Sequence, residues 1–447
     1  MPRQIPDCPT NISIPKRRES RSYEIELITP MVGGGAVAGE VDFDFPIRPT
    51  AIRGHLRYWW RLIRGHSLGE RMWRREEEIF GSTEFPSPIE IRISNWSKPV
   101  LFPATNFDRF RPEAYALYSA CEGKKNIVRQ GLKFTLSVIW PDLDELMRRR
   151  KAQIRSRNKK LPIDIEDLTP DIEDMFGAWL TFGGLGARTR RGCGAVYCNK
   201  PGMFQPPKLA VGVRIFLGPT QSDSMSSWYH SILPYRDFRQ TPRGKMHAKT
   251  LNSGDTIQVP GRSHWPEPDS IRNLTGCSLK PSTGYSPSGV PSDQDTRDHS
   301  IPIVPSNLLP AFPKAVLGLP INFHFADGPR KYALGQANLD PQNVELRPFD
   351  ESLDRMASPV LTRPLFVDGK WRPSVIILNT QLPENFRARL FGSKAKAGGG
   401  MINLPISASA IQGDNVAKLE TMRGQKNALE ALVVYLKQVS NFKEVNL

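Results

Sequence analysis

Residues 182–194 read Phe-Gly-Gly-Leu-Gly-Ala-Arg-Thr-Arg-Arg-Gly-Cys-Gly, five glycines interleaved with three arginines. No helix or strand runs through such a stretch, because each glycine adds backbone freedom that regular structure must give up. A well-signalled helix precedes it. Thr169-Pro170 offers an N-cap and a first-turn proline, Asp171, Glu173 and Asp174 put acid in the first turn, and Ile172, Met175, Phe176, Trp179 and Leu180 form one apolar stripe ending at Gly183. Ala195-Val196-Tyr197-Cys198 then reads as a short strand. The loop is therefore a helix-to-strand connection, and its arginine forks with Gly184, Gly186, Gly192 and Gly194 are expected to hold a polyanion.

Two common phosphate motifs are excluded. A Walker loop needs Gly-x4-Gly-Lys-Ser/Thr, and here the second glycine is followed by Cys193; a dinucleotide fingerprint needs a strand in front and a glycine at position 189, which is Thr189. No nucleotide cofactor is expected. The formal net charge of +16 over 447 residues favours nucleic acid or an anionic membrane surface as partner. The chain has no run of 18 apolar residues and no apolar signal core behind Met1, so a soluble cytoplasmic protein is expected. The five cysteines (Cys8, Cys121, Cys193, Cys198, Cys277) and the dispersed histidines lack zinc-ligand spacing, and no metal is expected.

A second informative stretch runs from Pro46 to Arg64. Pro49 and Thr50 open a helix whose apolar stripe is Ile52, Leu56, Trp59, Trp60 and Ile63, while Arg53, Arg57, Arg61 and Arg64 line an adjacent face. With no acid between Thr50 and Arg64, that row is expected to bind phosphates, alongside the helix N-terminus. Around it fall strands at 23–28, 89–93 and 132–140, a glycine turn at 33–35, an alternating segment at 40–45, a helix at 70–80 and a basic insertion at 142–169. Asp42 and Asp44 read as the solvent side of a strand whose other side is Val41, Phe43 and Phe45.

The expected organisation is a flexible lead-in over 1–20, a first domain over 21–205 containing the basic insertion, and a second over 206–447 with a long loop at 250–300. Second-half strands are expected at 211–217, 319–325, 360–366 and 374–378, with a small-residue loop at 393–400 carrying Lys394 and Lys396 and a final helix over 426–439. The fold class is α+β, helices on antiparallel sheet.

Ile28-Thr29-Pro30-Met31 with Gly33-Gly34-Gly35, and Arg48-Pro49-Thr50-Ala51-Ile52-Arg53-Gly54-His55-Leu56-Arg57-Tyr58-Trp59-Trp60-Arg61, closely resemble the RAMP superfamily of CRISPR proteins. The glycine-arginine loop resembles that superfamily's G-rich loop. Trp265-Pro266-Glu267-Pro268-Asp269, the stretch from Phe312 through Lys314 to Pro320, and Arg355-Met356-Ala357-Ser358-Pro359-Val360 are similar to the subunit-one family of the Cmr module, part of the type III-B effector. The resemblance implies two ferredoxin-like (RRM-like) units. It also implies a non-catalytic subunit near the tail of the effector filament, at the 3′ end of the guide RNA, that contacts other Cmr-type RAMP subunits and helps capture target RNA in antiviral defence. The expected RNA contacts are Arg48, Arg53, Arg57, Trp60, Arg61, Arg188, Arg190, Arg191, Trp265, Lys314 and Arg355, with the four glycines above.

The rival reading is a metal-independent RAMP endoribonuclease that processes guide RNA with His55 as base. On a helical projection His55 falls on the far side of the apolar stripe from Arg53, Arg57 and Arg61, which argues against it. A double-stranded DNA binder fits charge alone, yet no helix-turn-helix or zinc-finger signature is present, and aromatics beside arginines suit unpaired bases. Arg262 and His264 read as loop residues or RNA contacts.

Overall fold

The computed structural model describes residues 18–108, 111–157, 165–198, 213–240, 246–250, 256–260, 265–275, 304–324, 344–378, 385–393 and 400–445. Most of the lead-in, residues 158–164 of the basic insertion, most of the 250–300 loop with Arg262 and His264, and the lysine-bearing loop at 394–399 lie outside these.

In the first half, β1 (Arg18–Leu27) is followed by α1 (Pro49–Ile63), α2 (Met72–Phe80), β2 (Glu90–Ser94), β3 (Leu101–Pro103), α3 (Pro112–Ala116), α4 (Tyr118–Glu122), β4 (Asn126–Val128), β5 (Lys133–Pro141), α5 (Leu143–Arg157), α6 (Thr169–Phe182) and β6 (Val196–Cys198). The main sheet has the order β2-β5-β1-β6, every pair antiparallel. With α1 after the first strand and α6 before the last, this is the βαββαβ ferredoxin-like topology. Alternation decides the faces: Tyr23, Ile25 and Leu27 of β1 and Phe134, Leu136 and Val138 of β5 pack beneath α1 and α6, with Ile52, Leu56, Trp59 and Trp60 closing from above.

The second half repeats the topology. β7 (Arg214–Leu217) leads into α7 (Ser224–Gln240), and the chain then passes through β8 (Met246–Thr250), β9 (Thr256–Pro260), α8 (Glu267–Thr275), β10 (Ile321–Phe323) and β11 (Val344–Pro348). β12 (Val360–Val367) and β13 (Lys370–Ile377) form a hairpin, followed by β14 (Ala388–Ser393), β15 (Met401–Ile406), α9 (Asp414–Ala417), α10 (Ala428–Gln438) and β16 (Lys443–Val445). The sheet order β12-β13-β7-β16 is again second, third, first, fourth of a ferredoxin-like unit. Its two long excursions meet in an accessory sheet of order β10-β11-β14-β15. α10 is well capped, because the Asn427 side chain accepts from the N–H groups of Leu429 and Glu430 at 3.0 Å each.

The fold class is thus α+β with two ferredoxin-like units. They share a core, since Ile215, Leu217, Leu361, Leu365 and Ile376 of the second join the apolar cluster of the first. Several local expectations change. Residues 40–46 form turns instead of a strand, with Phe43 and Phe45 exposed. α1 starts at Pro49 behind Arg48, so Thr50 lies in its first turn, and α6 starts at Thr169 with Leu168 in the capping position. No helix of the described residues is long and apolar enough to cross a membrane.

Candidate nucleic-acid interface

The open face of the first sheet is where an RRM carries its base-stacking aromatics. Here the exposed or half-buried residues Ser22, Glu24, Thr135, Ser137, Arg92 and Ser94 occupy its centre. Among the described residues the one aromatic on that face, Tyr197 at the edge, packs against Phe366 and Trp371 of the second unit. RNA readout on the sheet is not supported, and attention falls on the loops and the helical side.

The glycine-arginine loop is folded onto the end of β1. Gly194 donates its N–H to the Pro30 carbonyl at 2.8 Å, Ala187 to Val32 at 2.8 Å, and Leu185 to Gly194 at 2.8 Å. The Thr29 hydroxyl joins the two segments, donating to the Gly192 carbonyl at 2.6 Å and accepting from the Ala195 N–H at 2.8 Å. Gly184 bridges to Ala195 and accepts from the Trp179 indole at 3.3 Å. Glycine is demanded at 186, where φ is +75° and a Cβ would meet the Val32 carbonyl, and at 192, where φ is +72° and a Cβ would lie 2.5 Å from the Thr362 carbonyl. These close approaches are to the protein's own backbone.

The loop's arginines face inward to the second unit or the α3 segment. Arg188 donates to the carbonyls of Ala116 and Tyr115. Arg190 donates to the Ser358 carbonyl and, at 2.9 Å, to the Tyr58 hydroxyl. Arg191 is 8% exposed and donates to the Val360 carbonyl at 2.8 Å and the Tyr235 hydroxyl at 3.1 Å, its guanidinium 4.4 Å from the Tyr235 ring. The second unit answers: the Trp228 indole donates to the Arg191 carbonyl at 2.8 Å, and buried Arg363 donates to Gly183 at 2.5 Å and Val196 at 3.0 Å. Burial pulls the Arg363 guanidinium down to about 9, since carbonyls supply partial charge but no counter-ion. The stretch expected to cradle phosphates is therefore the joint between the units. Of its three arginines, Arg188 and Arg190 are half-buried, and Arg190 lies beside Tyr58.

The α1 row is partly neutralised from outside its own helix. Glu76 of α2, its side chain 1% exposed, takes Arg57 on Oε1 and Arg61 on both oxygens at 3.0 Å. Asp171 of α6 gathers the Trp60 indole at 2.6 Å, Arg64 at 3.0 Å and Arg75 at 2.6 Å, while Arg64 also pairs with Asp174 at 2.6 Å. Arg53 spends its donors on the carbonyls of Ile89 at 2.7 Å and Phe80 at 3.2 Å. Two cations still share the one carboxylate of Glu76. Arg57 and Arg61 keep 46% and 42% of their side chains exposed, leaving a net positive face with free guanidinium edges. Exposed Trp73 stacks on Arg61, 5.2 Å from ring centroid to guanidinium, and Tyr58 lies one helical turn from Arg61 with Arg190 over its ring at 5.3 Å. Trp73 escaped the sequence reading because nothing in the sequence places it over Arg61.

The remaining expected contacts divide. Trp60 and Trp265 are 0% and 1% exposed, so neither offers a face to a base; the Trp265 indole donates to the Phe238 carbonyl at 2.8 Å. Lys314 is buried above the Trp265 ring at 5.1 Å, and burial pulls its ammonium pKa down. Arg48 is tied to the Gly35 carbonyl at 2.7 Å. Arg355 is exposed, three residues before Ser358. His55 is half-buried, its pKa lowered by burial, and it has no hydrogen-bond partner among the described residues. A cleft of about 680 Å³ between α3 and α7 contains Arg111, whose guanidinium is taken by Glu113 at 3.1 Å and by the Tyr229 ring at 5.2 Å. No cluster of His, Cys, Asp and Glu suited to a metal occurs among the described residues.

Residues 24–197, which make up the first unit, match the family model of the RAMP superfamily. Among solved structures the chain is similar to the crystal structure of Cmr1 from Pyrococcus furiosus in its apo form, with 14% identity, a TM-score of 0.42, and coverage of 82% of this chain and 90% of that one. No curated protein matches the sequence.

Proposed function

We propose that the chain is a non-catalytic RNA-binding subunit of a type III-B CRISPR effector, seated at the tail of the filament near the 3′ end of the guide and helping to capture target RNA. Its partners in this reading are guide and target single strands and other Cmr-type RAMP subunits, in the cytoplasm. The superfamily of the first unit supports the CRISPR setting, and the motif likeness at 28–61 and 265–360 supports the subunit-one assignment.

The observation that carries RNA binding is the face of α1 and α2: Arg57 and Arg61 half-exposed on one buried carboxylate, between exposed Trp73 and the Tyr58–Arg190 pair. Guanidiniums on this face neutralise phosphates without reading sequence, and Trp73 and Tyr58 supply surfaces for unpaired bases. The test is to incubate the full chain with end-labelled single-stranded RNA, with Mg²⁺ and with chelator, and to run native and denaturing gels from the same tubes. A shifted, intact RNA supports the reading. Cleavage abolished by His55→Ala would make the chain a processing nuclease instead.

A further inference from the structure

A second aromatic surface lies on the loop between β1 and α1. Asp42 Oδ1 accepts the N–H groups of Asp44 at 3.1 Å and Phe45 at 2.9 Å, a turn that replaces the expected strand. The turn leaves Phe43 43% and Phe45 59% exposed. Trp96, 42% exposed, meets Phe45 from the segment after β2, with ring centroids 6.2 Å apart and planes at 49°. The Lys98 ammonium sits 5.2 Å from the Phe43 ring centroid. Burying large aromatics is strongly favourable, so three exposed together on one loop surface call for an occupant.

The platform is held in place. The Gly35 N–H donates to Glu40 at 2.8 Å, the Arg48 guanidinium to the Gly35 carbonyl at 2.7 Å, the Lys125 ammonium to the Ala38 carbonyl at 3.1 Å, and the Ser97 N–H to Lys133 at 2.8 Å. Its charges are of both signs. Asp42 is spent on its turn and Glu40 faces Lys125 at 3.9 Å, whereas Lys98 and exposed Arg129, whose N–H donates to Val100, have no carboxylate among the described residues. Asp42 and Asp44 have no cation against them among the described residues, and the Asp42 carboxylate is met only by the backbone N–H groups of its turn. Charges interspersed among tilted rings suit successive bases on a phosphate chain better than a continuous apolar protein face.

We infer that Phe43, Phe45 and Trp96, with Lys98, form a platform on which unpaired bases of single-stranded RNA stack, separate from the arginine face of α1. The inference rests on the RNA-binding reading. The test titrates the full chain and its Phe45→Leu/Trp96→Leu variant with a short labelled oligouridine and with an equally long ribose-phosphate oligomer lacking bases. Leucine keeps bulk and apolarity while removing the ring, and Phe43→Leu serves as a second, independent variant. Wild type should prefer the base-bearing oligomer, and the double variant should lose roughly tenfold or more on it while staying within about twofold on the abasic one. A variant that keeps the wild-type preference overturns the platform and leaves RNA binding standing. Equal loss on both oligomers also overturns it. Wild type binding neither oligomer overturns the RNA reading and the platform together. A variant that keeps its base preference but no longer associates with another effector subunit would make the surface a protein dock instead.

Discussion

Replacing Arg191 with alanine should loosen the junction between the two units without touching the RNA face. The substitution removes donors from the Val360 carbonyl at 2.8 Å, the Arg190 carbonyl at 3.1 Å and the Tyr235 hydroxyl at 3.1 Å, and it uncovers the Tyr235 ring. A hydrogen bond from a charged donor is worth about 1.5–3 kcal/mol, and a buried carbonyl left unpaired costs about 1–3 kcal/mol. Against this stands relief of the guanidinium's own desolvation, which offsets part of the sum. The net expected loss is about 3 kcal/mol. Two units in one chain need not unfold in a single step, so the quantity to read is the first transition in urea, followed by far-UV circular dichroism and by proteolysis. With a slope of about 3 kcal/mol per molar, the midpoint should fall by roughly 1 M. Arg191→Lys should recover part of the loss, because one ammonium cannot serve both units as the fork does. An unchanged midpoint with sharply weakened RNA binding would refute the junction and return the loop to the RNA site.

Gly192→Ala should destabilise at least as much, by roughly 2–4 kcal/mol, since its Cβ would meet the Thr362 carbonyl at 2.5 Å and the Trp228 ring at 2.8 Å with φ at +72°; thermal unfolding checks this. The Cys193 thiol, fully buried in the same loop, is pushed up to about 12 by burial, so iodoacetamide should leave it unmodified in the native protein and label it only as the junction opens, as peptide mass spectrometry would show. Glu444 is held at about 2, first by its hydrogen bond with Arg214 and then by Lys437, against an ordinary value of 4.5. Its folded pKa is depressed, so its contribution is present above about pH 4.5 and fades as pH falls toward about 2. Glu444→Gln should therefore lower the melting temperature at neutral pH and narrow the difference between variant and wild type in acid.

Much of the frame was legible in the residues themselves. The stripe of Ile52, Leu56, Trp59, Trp60 and Ile63 is the buried set of α1, and the helix into Gly183 with a strand from Val196 stands as read. Such features are local, because periodicity and chain punctuation act within a few residues. The partners of charged groups are not local. Arg190 finds Ser358, 168 positions away, and Arg64 finds Asp171, 107 positions away, so a row with no acid inside its own helix was partly neutralised from two others. The alternation at 41–45 failed for another reason: an aspartate can close a turn on its own backbone, and Asp42 does so where a strand would have needed a partner. Trp265 and Lys314 were both expected to meet RNA, yet they lie together in the core, since the tryptophan packs on Phe238 and Lys314 instead of meeting solvent.

The most direct test of the account is the salt dependence of single-stranded RNA binding for three forms: wild type, Arg57→Gln/Arg61→Gln, and Arg191→Lys. Fluorescence anisotropy gives log K against log salt. Removing two phosphate-facing cations should flatten that slope by about 1.4 for a single strand and weaken binding, while Arg191→Lys leaves the slope unchanged and lowers the unfolding midpoint. A slope unchanged by the α1 pair but flattened by the loop variant would contradict the assignment of RNA to the α1 face and of the glycine-arginine loop to the joint.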